Sequence, residues 1–300
     1  MAWEDRDYNR DRPQFRFTPP GFSGWSVVTW LLIINAAVFL LDTILGRVLG
    51  PYGLAVGSSL IAIEPLERWA YFSVDTAFAQ FQVWRVFSFQ FFHNGLWHLI
   101  GNSLGLFFLG PMVEQYLGSR RFLAFYLLCG VAGAAMYTLL WSVGVVVTNP
   151  ASPLVGASGG VLGILAGAAM IAPDMKILLM FILPIKLKYV CWAVLFIAVA
   201  VVIGSGENAG GEAAHLGGAA LGFLLILKPG LLNWADGFRA PDIKGAIDQR
   251  RRESAAKREA ATEAEIDRIL AKVSEHGLHS LTAKEKRVLS SETERKNKAG

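Results

Sequence analysis

Apolar residues along the chain gather in six runs, at 25–46, 96–116, 122–143, 156–171, 189–204 and 213–227, with polar breaks between them. A bilayer core takes about 20 apolar residues per helix, so the runs predict six membrane-spanning helices and an all-α polytopic membrane protein. The fourth run is short. Residues 177–185 after it are apolar but interrupted by Pro184, and they are expected to dip into the interface without crossing; counts of five or seven helices stay open. The first run follows a polar start with four Arg and four acidic residues. It is too long for a signal-peptide core and has no convincing cleavage site, so it is expected to be retained.

Composition agrees with the pattern. Of the 300 residues 53% are hydrophobic and 17% charged, with a mean hydropathy of +0.42, well on the apolar side for a soluble domain. Residues 86–227 hold only nine charges (Glu114, Arg120, Arg121, Asp174, Lys176, Lys186, Lys188, Glu207 and Glu212), whereas residues 228–300 hold sixteen basic and twelve acidic ones. This excludes a disordered chain, a secreted disulfide scaffold and an ordinary two-domain soluble enzyme. Cys129 and Cys191 sit inside apolar runs and read as small core residues. The last 73 residues alone account for the net charge of +4, which suits a tail beside lipid better than a nucleic-acid surface.

Domain expectations follow: a cytoplasmic segment at 1–24, a membrane domain at 25–228 and a soluble, charged helical tail at 229–300. Lys and Arg stay on the cytoplasmic side. Four precede the first helix, two separate the second from the third, three separate the fourth from the fifth and sixteen follow the sixth. Both termini are therefore expected to be cytoplasmic, and the second, fourth and sixth helices run inward. Residues 47–85, with Arg47, Arg68 and Arg85, form an outer loop long enough to be structured and partly embedded. In the tail, Ile266, Ile269, Leu270 and Val273 share one helical face, His276-Gly277 reads as a stop and Thr282 with Glu285 has capping-box spacing. A short helical hairpin is expected, serving as a solubilising or partner-binding appendage. Arg250, Arg251, Arg252, Lys257 and Arg258 lie within reach of anionic lipid on the inner leaflet.

Polar side chains inside membrane helices are costly and mark functional sites by default. Here they collect near the outer ends of three helices: His93, Asn94, His98 and Asn102 at the second, the glycine-flanked Ser158 at the fourth, and His215 at the sixth. Gly159, Gly163 and Gly167 form a stripe with four-residue spacing on the fourth helix, and Gly218 and Gly222 form another on the sixth, a pattern that permits close backbone approach. If Gly159 packs level with Gly218, Ser158 and His215 differ in depth by about 3 Å at 1.5 Å per residue. A neutral imidazole can then accept the serine proton and activate the hydroxyl. The Ser158 N–H, at a helix start, with His98 and Asn102 on one face, could stabilise an oxyanion, and His93 could line the same hollow. Zinc is disfavoured, because HExxH is absent and the five-residue spacing of His93 and His98 fits one helical face poorly. Glu212, three residues before His215, is placed to orient the ring, though a solvated rim charge is the favoured reading.

Taken in order, these residues resemble the rhomboid family of intramembrane serine proteases. The pattern comprises Trp84-Arg85, His93 with His98 and Asn102, Glu114 with Gly118, Gly156-Ala157-Ser158-Gly159, and Ala214-His215 followed by Gly218 and Gly222. The resemblance implies a six-helix rhomboid core in which Ser158 is the nucleophile and His215 the base of a dyad without an acidic third member. It further implies that His98, Asn102 and the backbone at Ser158 stabilise the oxyanion. The reaction would hydrolyse peptide bonds in or beside a substrate's transmembrane segment through an acyl-enzyme, with no metal or organic cofactor. Trp84 and Arg85 would belong to an embedded first loop and Glu114 to a network near the cytoplasmic side. Leu162 departs from the pattern: well-known bacterial members carry an aromatic residue there, stacked on the catalytic histidine. A rhomboid-like protein that binds membrane clients without cutting them is the alternative; a small transporter is disfavoured, since the polar groups occupy one depth. The expected partners are transmembrane substrates and the bilayer, with no nucleic acid, and the expected location is a bacterial inner membrane.

Overall fold

The structure is a computed structural model that describes residues 25–146, 148–179, 183–237, 262, 264–277, 281–282, 284–287 and 289. The initial polar segment and the basic cluster from Arg250 to Arg258 lie outside the described residues. Two compact units divide between residues 238 and 239.

The first unit carries six apolar helices: α1 (Val27–Leu49), α2 (Leu96–Leu117), α3 (Ser119–Ser142), α4 (Ser158–Ile171), α5 (Leu187–Ile203) and α6 (Ala209–Leu227). Four are long and apolar enough to cross a membrane, while α4 and α5 are shorter apolar helices. Large hydrophobic side chains such as Leu40, Ile44, Trp192, Phe196 and Ile203 point outward. That surface suits lipid rather than water. The chain is an integral membrane protein of the all-α polytopic class.

Small residues set the packing. A Cβ on Gly218 would stand 2.0 Å from the Gly159 carbonyl oxygen, and one on Gly222 would stand 2.5 Å from that of Gly163. Gly159 therefore lies level with Gly218, and α4 and α6 run parallel with their backbones nearly in contact. On the other flank of α6, Gly133 of α3 meets Ala214 and Gly217 meets Ala132 and Met136.

Glu114, near the C-terminal end of α2, ties α1 and α3 to it. Its Oε1 accepts from Val27 N at 2.9 Å and Ser119 Oγ at 2.6 Å, and its Oε2 accepts from Val28 N at 3.2 Å. The carboxylate thus satisfies the first amides of α1, where the helix dipole favours negative charge. Gly118 then reverses the chain at a φ of +81° and donates its N–H to Glu114 O, so that α3 begins at once at Ser119.

The connections contain two elements that a helical reading does not predict. Tyr52–Val56 (β1) and Ser59–Ile63 (β2) form an antiparallel hairpin in the first loop. Lys176–Leu179 (β3) and Leu183–Lys186 (β4) form another, where the apolar pattern suggested a dip into the interface. Pro184 pairs opposite Leu178; in a two-stranded ribbon its missing N–H can face outward at no cost to the ladder. Further along the first loop, Leu66 N and Glu67 N donate to the carboxylate of Asp42 on α1 at 2.7 and 3.1 Å. Burial, reinforced by the Asp42 charge, pushes the Glu67 carboxyl up to about 7.

Charge alone sets the end of the membrane domain at residue 228. In the structure Pro229–Gly237 stays with the first unit: Leu232 is fully buried in its core, and Arg121 pairs with Asp236. In the second unit residues 264–276 are helical. Glu285 closes a reciprocal cap there, its Oε2 accepting from Thr282 N at 2.8 Å while its own N–H donates to Thr282 Oγ1 at 3.3 Å. Lys272 Nζ reaches the same carboxylate at 3.0 Å, and Ile269 is fully buried.

Candidate active site

Ser158 is the first residue of α4, half-buried, with Ala157 as the cap. The approach to it is set by Gly156, whose φ of +129° is strained for any side chain. A Cβ there would lie 2.7 Å from the His98 ring and 3.5 Å from Ser158 Oγ. The missing side chain is therefore what leaves space between serine and imidazole. Gly156 N donates to Phe89 O at 3.0 Å, which fixes this strand of backbone against the segment leading into α2.

On the α2 side, the His93 and His98 rings meet edge to face with centroids 5.2 Å apart. Burial, with the His98 ring beside it, pushes His93 down to about 4, so its imidazole is neutral near pH 7. Asn102, one turn below His98, is buried, and its Nδ2 has no hydrogen-bond partner among the described residues. Such a donor costs about 1–3 kcal/mol to leave unpaired, so its retention requires a reason.

His215 lies in the second turn of α6, three residues before Gly218. It is within electrostatic range of His98. Among the described residues no hydrogen bond joins it to Ser158 Oγ. Its Nδ1 is instead 2.9 Å from Glu212 Oε2, and both side chains are only 19% exposed. The rim-charge reading of Glu212 does not hold, since the carboxylate faces the ring.

Trp84 and Arg85 stand apart from this group and organise the first loop. Arg85, 3% exposed, donates to Tyr71 O at 2.7 Å, Arg68 O at 2.9 Å and Gln82 Oε1 at 2.5 Å. Trp84 Nε1 donates to Trp69 O at 3.0 Å. Glu114 and Gly118 lie at the opposite end of α2. Sequence reasoning missed Gln90, which is fully buried and wedged against Gly130 of α3, with Nε2 donating to Leu127 O at 3.3 Å. The small residues at Cys129, Gly130, Gly133 and Ala134 were the available signal for that contact. No group of three metal-ligating side chains is found among the described residues.

A polytopic helical membrane protein with a serine and a histidine brought level by parallel glycine stripes is the class that fold and site define. A Rhomboid domain model matches residues 80–229, half of the chain, and the chain belongs to the rhomboid family. Residues 246–292 match a family of unknown function, DUF6576. RHOMBOID-like protein 1 of Arabidopsis thaliana is 30% identical over 188 residues, covering 60% of this chain and 45% of that protein. The Rhomboid protease GluP of Bacillus subtilis is 29% identical over 157 residues, 52% of this chain and 28% of the relative. The Rhomboid protease GlpG of Klebsiella pneumoniae is 33% identical over 94 residues, 31% and 28% respectively. The chain thus spans less than half the length of each of these relatives.

Proposed function

We propose that the chain is an intramembrane serine endopeptidase acting on membrane proteins in or beside their transmembrane segments. The observation that supports this reading is the Gly159–Gly218 register, by which Ser158 and His215 come to one depth, with the His98 ring and Ser158 Oγ both against Gly156. Ser158 Oγ attacks the scissile carbonyl carbon while His215 accepts its proton. The tetrahedral oxyanion is held by the Ser158 N–H, His98 and the unpartnered Asn102 amide. Collapse breaks the C–N bond, and the leaving amine takes the proton from His215. Water then attacks the acyl-enzyme, giving its proton to His215, and Ser158 is released with its hydroxyl restored. The missing Ser158–His215 hydrogen bond does not oppose this, because such contacts tighten on binding substrate.

The scheme draws on no metal or organic cofactor. The Lys and Arg distribution favours cytoplasmic termini, with the site opening toward the outer face; a bacterial inner membrane is the proposed location. The basic stretch from Arg250 to Arg258 is proposed to meet anionic lipid or a cytoplasmic partner. Vesicle binding insensitive to salt and to anionic lipid would remove the lipid contact.

The test is cleavage of a single-span substrate in proteoliposomes. Ser158→Ala and His215→Ala should each abolish it while the protein stays folded. Undiminished cleavage by either variant would remove the mechanism, and a folded but inactive wild type would favour the client-binding alternative.

A further inference from the structure

We infer that Glu212 is a positioning residue for His215, completing a Ser158–His215–Glu212 triad within this chain. The inference rests on the endopeptidase reading and goes beyond its dyad. Glu212 and His215 stand three residues apart on α6, the spacing at which two helical side chains meet. His215 Nδ1 is 2.9 Å from Glu212 Oε2, and the other carboxylate oxygen accepts from Asn208 Nδ2 at 3.4 Å. Asn208 caps the helix and its carbonyl accepts the Glu212 N–H at 2.9 Å, so the carboxylate is held at both its backbone and its far oxygen.

The chemistry follows from the donor rules. A carboxylate only accepts, so the imidazole nitrogen facing it must carry the proton. That selects the Nδ1–H tautomer and leaves the Nε2 lone pair free, the only nitrogen then able to take the proton of Ser158 Oγ. Proton transfer from Ser158 creates an imidazolium, whose charge the carboxylate offsets without itself being protonated. Both groups are four-fifths buried, so the pairing is less screened by water than an exposed ion pair. An acidic residue in the first turn of α6 also suits the helix dipole, and that structural role is what the experiment has to separate.

The test pairs two substitutions in the full-length protein reconstituted in lipid. Glu212→Leu removes the acceptor and the charge; Glu212→Gln removes the charge alone and keeps an oxygen for Nδ1–H. With a single-span substrate, Glu212→Leu should lower kcat roughly 10²-fold with KM unchanged, and Glu212→Gln should restore part of that loss. Ring-¹⁵N histidine spectra of a Ser158→Ala background should show His215 protonated at Nδ1, and adding Glu212→Leu should abolish that signature. A dipole role alone would affect both substitutions equally, move Tm and leave the tautomer unchanged. Wild-type kcat in Glu212→Leu, or an Nδ1–H signal that survives it, overturns the inference. If wild type neither cleaves nor takes a fluorophosphonate label, the endopeptidase reading falls. Glu212 then stands or falls as the ring's orienting group on the tautomer alone.

Discussion

The two ends of α2 treat their polar groups in opposite ways. At one end Glu114 receives three donors and leaves no oxygen idle, stitching α1, α2 and α3 together. At the other, Asn102 Nδ2 is buried with no partner among the described residues, and Ser158 Oγ reaches no hydrogen bond to His215. A membrane interior makes an unsatisfied group expensive, so we propose that the satisfied end serves the fold and the unsatisfied end awaits a ligand. Both ends draw on polar residues scarce in the sequence. Only the bonding tells them apart.

That contrast can be broken by substitution. The largest effect expected is on turnover: Asn102→Ala should lower kcat about 10²–10³-fold, the range for losing one oxyanion donor, with Tm unchanged or raised. A large fall in Tm at constant kcat would place Asn102 with the structural residues. Next comes the helix contact that sets the depth of the site. Gly218→Ala puts a Cβ 2.0 Å from the Gly159 carbonyl oxygen and should destabilise the fold by about 3 kcal/mol, near the upper end for overpacking. Thermal denaturation in detergent reads this directly, and an unchanged Tm would show the helices farther apart than described. Glu114→Ala is the mirror of the asparagine test. It should cost about 2 kcal/mol by exposing the first amides of α1, while kcat per folded molecule is retained.

A finer test uses pH, and the two units should respond in opposite directions. Glu67 is raised to about 7 in the folded protein, so the folded state holds its proton more tightly than the unfolded chain between about pH 4.5 and 7. Stability of the membrane unit should therefore fall as pH rises through that window, and Glu67→Gln should flatten the response. Glu285 is depressed to about 2, first by the Thr282 amide and then by Lys272. Its contribution is present above the ordinary carboxylate range and is lost as pH falls toward 2. Differential scanning calorimetry from pH 2 to 8 separates the two, and parallel responses would contradict both assignments.

How much of this was legible beforehand depended on how much each feature needs from the rest of the fold. The helices write themselves as long apolar runs, because lipid demands them, and the Thr282–Glu285 cap is a local pattern. The glycine stripes made a Gly159–Gly218 register conceivable because four-residue spacing on two helices has few ways to interlock. The hairpins were not legible: strands of five residues in the first and four in the second are too short to set a period against the apolar pattern around them. The packing of Pro229–Gly237 was not legible because charge marks solubility, whereas Leu232 is buried among residues distant in sequence. The Glu212–His215 contact was not legible for a related reason. A carboxylate one turn from a histidine looks the same on a rim as in a triad until the ring's orientation is known.

The most direct measurement is labelling of the protein in native membranes with a fluorophosphonate probe, followed by mapping of the adduct. A single adduct on Ser158, absent in Ser158→Ala and strongly reduced in His215→Ala, is the expected result. Equal labelling of Ser158→Ala, or none of a folded wild type, would contradict the proposal that this serine is an activated nucleophile.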